Sequence, residues 1–204
     1  KAFTLIELLV VISIIALLLA ILVPALRKAK ELAMAVTCSS HQRELVMGLC
    51  FYAQDHDDKF MPFSHGLGQY WFHQVAPYLG DKHYKEMSGQ TESKVMETIF
   101  CPMAKKVTTN QWGFGSAEEA WIFSNLSGGT GSYGLNLWFL PEGVEVAYID
   151  RGYYWPSLSS AGSDVPLIGD CNWVGSWPDD HDLVPEDLYY GEVQHSPGYF
   201  MGRF

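Results

Sequence analysis

From residue 8 to residue 26 the chain runs nineteen positions without a charge, and all but Ser13 and Pro24 are apolar. At ~1.5 Å per residue this run spans roughly 28 Å, close to the ~30 Å of a bilayer's hydrocarbon core. The core helix of a soluble domain keeps a polar face, and this run has none. A cleaved signal peptide has an apolar region of roughly 7–15 residues ending at a small-x-small site. Here the run is longer, carries Glu7 at its start and continues into helix-compatible sequence. The pattern predicts a membrane anchor that stays.

The character changes at Arg27. Ala29, Ala33, Val36 and then Leu45, Leu49 and Tyr52 recur at three- and four-residue steps, with Lys28, Glu31, Gln42 and Arg43 between them. Read as one amphipathic stripe, these positions need a surface to lie on, and the carboxy-terminal body is the candidate. Residues 3 to about 54 thus read as a single helix roughly 75–80 Å long. Its end is expected at Asp55-His56-Asp57-Asp58, a cluster of turn-preferring residues. Beyond residue 60, Gly, Pro, Ser, Asn and Asp cut the pattern into short pieces. Residues 144–149 alternate as a strand, residues 166–170 form a second, shorter candidate, and residues 94–99 suit a helix. The expected class is α+β, a long helix packed on a small antiparallel sheet with long loops.

Composition adds what the body can be. With 204 residues, 14% of them aromatic, it can build a real core. Net charge is −10; taking out Lys1, Arg27, Lys28, Lys30 and Glu7 leaves 9 basic and 22 acidic residues, a net of −13. Such a body repels phosphate backbones, so nucleic acid is not an expected partner. Cysteines stand at 38, 50, 101 and 171. Cys38 and Cys50 are twelve apart on one helix, roughly 18 Å, too far to pair with each other. A bridge would join the helix to Cys101 or Cys171, or link those two.

The first residues carry a family resemblance. Ala2-Phe3-Thr4-Leu5-Ile6-Glu7-Leu8-Leu9-Val10-Val11-Ile12 resembles the cleavage and methylation motif of type IV pilins and type II secretion pseudopilins. The resemblance implies that a prepilin peptidase cuts after Ala2, where Gly is usual, and that Phe3 becomes the methylated amino terminus. It also makes Glu7 and Pro24 the assembly residues. A carboxylate inside an apolar helix costs on the order of 2.5–3.5 kcal/mol at the membrane centre and less near an interface, so it wants a partner. In a filament that partner is the free amine of a neighbouring subunit. The competing reading is a Glu that caps its own helix and is favoured by the macrodipole. Pro24 deletes one backbone hydrogen bond and permits a kink.

A second resemblance reaches further along the chain. Cys38-Ser-Ser-His-Gln-Arg-Glu-Leu-Val-Met-Gly-Leu, Tyr52-Ala-Gln-Asp, Phe60-Met-Pro, Phe100-Cys101-Pro102 and Gly131-Ser-Tyr-Gly-Leu-Asn136 are similar to successive landmarks of a large pseudopilin-like family of bacteria with elaborate envelopes. Members often end with a His, a nine-residue spacer and Asp-Gly. Here nine residues follow His195, so that motif is either absent or lies past Phe204.

Several motifs look catalytic without the context that chemistry needs. Gly129-Thr-Gly131-Ser-Tyr-Gly134 spells a dinucleotide fingerprint, but a serine-containing turn precedes it and Pro141 follows, so a turn is the expected structure. Asp55 to Asp58 suggests a calcium loop, but Phe60 and Gly66 stand where Gly and Glu are required. Asp179, Asp180 and Asp182, with Glu186 and Asp187, are the better calcium candidates, since major pseudopilins can bind calcium in a carboxy-terminal loop; a solvated acidic loop is the alternative. No Cys-x-x-Cys, His-Glu-x-x-His or Gly-x-Ser-x-Gly is present. The aromatic stretches 153–155 and 173–177 suit core packing better than a sugar-binding surface.

The resemblance implies a structural subunit of a type II secretion pseudopilus or a related type IV pilus-like filament, and no enzyme. The alternatives are a type IV pilus subunit for adhesion or motility, and a membrane-anchored carbohydrate-binding module. The implied organisation is residual leader 1–2, transmembrane assembly helix 3–26, amphipathic helix 27–58 and periplasmic body 59–204, held by a single pass in the inner membrane. Implied partners are other pilin or pseudopilin subunits, the prepilin peptidase and an inner-membrane assembly platform. Charge bias points the other way, because Arg27, Lys28 and Lys30 outnumber Lys1 and would place the body in the cytoplasm. The basic leader of a prepilin would restore the balance, and the motif outweighs the count.

Overall fold

In a computed structural model the chain is described over residues 4–61, 70–81, 94–104, 113–116, 118–123, 129–139, 154–171, 173–176, 194–196 and 199–201. Helix α1 (Leu5–Asp55) is 51 residues long and runs unbroken through Pro24. It matches the expected rod to within a residue at its distal end. That end is made by Asp57 and Asp58, which adopt left-handed φ of 55° and 64°; Asp tolerates this conformation better than most residues with a Cβ. His56 closes the last turn, its ring 3.9 Å from that of Tyr52 and its Nδ1 donating to the Tyr52 carbonyl at 2.8 Å.

The body begins with α2 (Trp71–Val75), which passes into a 3-10 turn (Ala76–Leu79) stopped by Gly80 at φ 95°. The Asp81 side chain then accepts from the Val95 N–H at 2.7 Å, at the start of α3 (Lys94–Thr98). Strands β1 (Trp121–Phe123) and β2 (Gly129–Gly131) pair antiparallel. Strand β3 (Tyr133–Asn136) is the centre of a three-stranded sheet, antiparallel to β4 (Ile168–Asp170) and parallel to β5 (Gly175–Ser176). Strands β6 (Gln194–Ser196) and β7 (Tyr199–Met201) form a separate antiparallel pair.

This is the α+β layout expected, with one parallel pair in place of a wholly antiparallel sheet. The helix expected over 94–99 and the strand expected over 166–170 are present, the latter shortened to start at Ile168. The strand expected over 144–149 lies outside the described residues. The glycine fingerprint is not the turn expected of it: Gly129–Gly131 is β2, Ser132 is a bend and β3 follows, so no helix dipole faces a phosphate. Glycine is required there for packing, since a Cβ on Gly131 would sit 2.3 Å from the Trp121 ring.

The core lies between the distal half of α1 and the sheet. Leu45, Leu49 and Tyr52 are buried with Trp71, Val75, Trp121, Leu135, Trp138 and Val174. Trp71 Nε1 donates to the Val174 carbonyl at 2.6 Å, which lets a large ring be buried with its donor satisfied. Trp173 is buried against Phe114, and the half-buried Trp155 against Phe139, so these two serve the interior as expected, while Tyr153 and Trp177 lie outside the described residues. The body is also stitched to α1 by polar contacts. His41 Nδ1 meets the Phe100 carbonyl at 3.1 Å, the Tyr133 hydroxyl donates to the Cys38 carbonyl at 3.3 Å, and Lys94 pairs with Glu44 at 3.8 Å.

Of the cysteine pairings left open by the spacing, the structure contains Cys38–Cys101, with Cα atoms 5.3 Å apart and a sequence separation of 63. Cys171 is buried in the core and Cys50 is a half-buried free thiol.

Two outcomes follow for the detergent-solubilised chain. Replacing Cys38 and Cys101 together by Ser lowers stability to urea by about 2–4 kcal/mol, because the bridge closes a long loop in the unfolded chain. Gly48→Ala also destabilises, against its helix propensity. Alanine gains about 1 kcal/mol as a helix former. Its Cβ, however, would lie 2.5 Å from Cγ1 of the buried, stiff Val75, and overpacking of this kind costs about 1–3 kcal/mol. A more stable Gly48→Ala chain in thermal melts contradicts the packing described here.

Candidate functional site

Helix α1 starts at a reciprocal capping box. Thr4, the N-cap, has extended backbone angles, and its hydroxyl accepts from the Glu7 N–H at 3.3 Å. Glu7 reaches back, and its Oε2 accepts from the Thr4 backbone N–H at 2.8 Å and from the Thr4 hydroxyl at 2.7 Å. The geometry satisfies orphan donors that the first turn of any helix leaves open. Glu7 therefore caps its own helix in the single chain. Ala2 and Phe3 lie outside the described residues.

Beyond the cap, sixteen large aliphatic side chains from Leu5 to Leu26 are each at least 47% exposed. Burying a side chain of this size is worth about 1.5–3 kcal/mol, so the uncovered surface amounts to tens of kcal/mol in water. No packing among the described residues offsets it. The helix is long and apolar enough to cross a membrane, by length and composition. Ser13 does not interrupt the surface, because its hydroxyl donates to the Leu9 carbonyl at 2.7 Å one turn back.

Past Arg27 the helix has two faces, and here the single stripe read from the sequence is corrected. Leu45, Leu49 and Tyr52 are buried on the body as expected, but Ala29, Ala33 and Val36 are exposed, Val36 to 71%. The reason is phase. Val36 precedes Leu45 by nine residues, about two and a half turns, which puts the two on opposite sides of the rod. Val36 aligns instead with the exposed Met47 and, at 50% exposure, Phe51. Ala25 and Ala29 continue this outer face back to the apolar span. Arg27 and Glu31, paired at 3.1 Å, lie off it. Leu32, Met47 and Phe51 went unrecognised in the sequence; the nine-residue offset from the buried set was the signal that could have found them.

Residues 1–23 match a family model described as the prokaryotic N-terminal methylation motif. The chain carries a prepilin-type signal. Type IV pilins and pseudopilins bear this signal, and the match covers the capping box, Glu7 and most of the uncovered span. No curated protein and no solved structure matches the chain. The prepilin-type signal and the apolar helix together support anchoring by one amino-terminal helix.

Of the acidic positions weighed as cation ligands, Asp55 to Asp58 fall among the described residues. Asp179, Asp180 and Asp182 lie outside the described residues. At the end of α1, Asp55 accepts from the Tyr78 hydroxyl at 3.0 Å, while Asp58 is engaged elsewhere. Its Oδ2 accepts from the Ser159 N–H at 3.0 Å and from the Ser159 hydroxyl, and its carbonyl accepts from the Leu158 N–H at 3.0 Å. Among the described residues no group of three or more His, Cys, Asp and Glu side chains is placed to hold a metal. Asp58 instead pins the end of the rod to the 157–160 loop.

The Ser159 donors hold the Asp58 carboxyl below its ordinary value. A carboxylate with a depressed folded pKa contributes stability above its unfolded pKa of about 3.9 and loses it as pH falls through the folded value. Asp58→Asn, which tolerates the same left-handed backbone, should lower stability at pH 7 by under about 1 kcal/mol, since the contact faces solvent. As pH falls below about 4 and then through the folded value, its melting curve should converge on the parent's. A pH-independent gap between the two sets of melts counts against the ionised clamp.

Proposed function

We propose that this chain is a structural subunit of a type II secretion pseudopilus or a related type IV pilus-like filament. It is held in the bacterial inner membrane by α1, with its body on the periplasmic side, until it is cut after Ala2 by a prepilin peptidase and methylated on Phe3. The observation that carries this reading is the prepilin-type signal set on a rod whose apolar surface finds no cover in its own chain.

Assembly follows from the same surface. A subunit leaving the bilayer must keep its aliphatic side chains out of water, and a bundle of like helices does so by exchanging lipid contacts for helix contacts. The outer face of α1, turned away from the body from Ala29 to Phe51, extends this contact beyond the membrane-length half. Glu7 supplies the polar element of the pairing. Its carboxylate meets the free amine of a neighbour's Phe3, so two charges that are costly in an apolar bundle neutralise each other. Pro24, lacking an N–H, allows α1 to bend or loosen as the bundle forms. Pilus and pseudopilus share each of these features, and genes for secretion or for retraction beside this one assign the system.

The reading predicts that Glu7→Ala leaves membrane insertion and cleavage intact and lowers filament yield on the order of tenfold or more, the scale of a lost charge-assisted hydrogen bond. Filaments sheared from cells and quantified beside the processed subunit in membranes provide the measurement. Undiminished filaments from Glu7→Ala would remove the pairing role. A native protein recovered soluble, with Lys1 and Ala2 still attached, would remove the subunit reading altogether.

A further inference from the structure

The carboxylate on which assembly rests is already ordered before any partner arrives. Both donors of Thr4, the backbone N–H at 2.8 Å and the hydroxyl at 2.7 Å, converge on the same oxygen, Oε2 of Glu7. Oε1 accepts no hydrogen bond among the described residues. A free Glu side chain loses rotamer entropy when it is fixed by a partner. Here that cost is met within one helical turn.

We infer that Thr4 is a positioning residue for subunit pairing, its hydroxyl holding Oε2 of Glu7 so that Oε1 is presented to the amino-terminal amine of a second copy. The inference rests on the filament reading given above and extends it to a residue that reading does not use. The chemistry selects the occupant. A carboxylate oxygen with open lone pairs at the edge of an apolar span accepts from a donor that brings positive charge, and an ammonium does both. The hydroxyl also differs from an ordinary cap. Ser, Thr, Asp and Asn can all accept from the Glu7 N–H and start the helix. Asp, however, has no proton to give back to the carboxylate, and its own charge repels it.

That difference separates positioning from capping. In the full-length chain, expressed in native membranes with its peptidase, Thr4→Val removes the hydroxyl at constant shape. Thr4→Asp keeps the cap but removes the donor, and Thr4→Ser keeps both. Filament yield is measured per processed subunit, with the processed amino terminus read by mass spectrometry, so that altered cleavage does not enter the comparison. Thr4→Val and Thr4→Asp are expected to fall on the order of tenfold, as for loss of one hydrogen bond to a charged group, and Thr4→Ser to match the parent. Parental yield from Thr4→Asp would reduce Thr4 to a helix cap and overturn the inference. Parental yield from Thr4→Val, or a Thr4→Ser yield as low as that of Thr4→Val, would overturn it too. Glu7→Ala in parallel tells the two levels apart. A defective Glu7→Ala beside a normal Thr4→Val sinks the role of Thr4 alone, whereas a normal Glu7→Ala sinks the pairing itself.

Discussion

The apolar half of α1 finds no cover among the described residues of its own chain, and most of the molecule can be understood as a consequence. Surface worth tens of kcal/mol in water must stay in lipid or against other helices at every stage. Because α1 continues without a break to Asp55, the same rod carries the body. The disulfide at Cys38, the Tyr133 hydroxyl on the Cys38 carbonyl and His41 on the Phe100 carbonyl all join rod to body on one side. From Arg27 to Thr37 the helix makes almost no contact with the body, so about 16 Å of bare rod separates the end of the apolar span from the first stitch.

Charge and shape divide the labour along this rod. From Glu31 onward the chain carries a net charge of −13, and like charge opposes contact between bodies. The helix differs, since its outer face from Ala29 through Val36 to Phe51 is small or apolar at most positions and open to solvent. The buried face of the same helix is committed to Trp71, Val75 and the sheet, and Gly48 lets the rod approach Val75 and Leu79 closely. One helix thus has a buried face and an open face on opposite sides. Stability of the body and availability of the outer face are set by different residues, so a change on one side leaves the other largely intact.

The rod was legible in the sequence because its signals are local. An uncharged run of nineteen residues, the turn-forming Asp55 to Asp58 and the 94–99 pattern depend on neighbours within a few positions, and each appears close to where it was expected. The motif at Ala2 to Ile12 was likewise readable in one dimension, but the Thr4-x-x-Glu7 spacing inside it, which forms the capping box, went unread. The body was less legible. Its described strands are two to four residues long, too short for alternation to show, and Gly129–Gly131 reads as a turn until Trp121 lies across it.

What the sequence determined by itself was therefore the existence, length and polarity of the helix and the identity of its processing signal, because these follow from local composition and spacing. Tertiary structure alone decided which side of the rod meets the body, which cysteine closes on Cys38, and what Asp58 holds. Ala29, Ala33 and Val36 keep a helical step with one another and still end up opposite Leu45 and Leu49, since a nine-residue gap turns the rod through about two and a half turns. Periodicity records that a face is apolar. It does not record what covers that face, because the covering residues come from positions 71 to 176, placed there by packing.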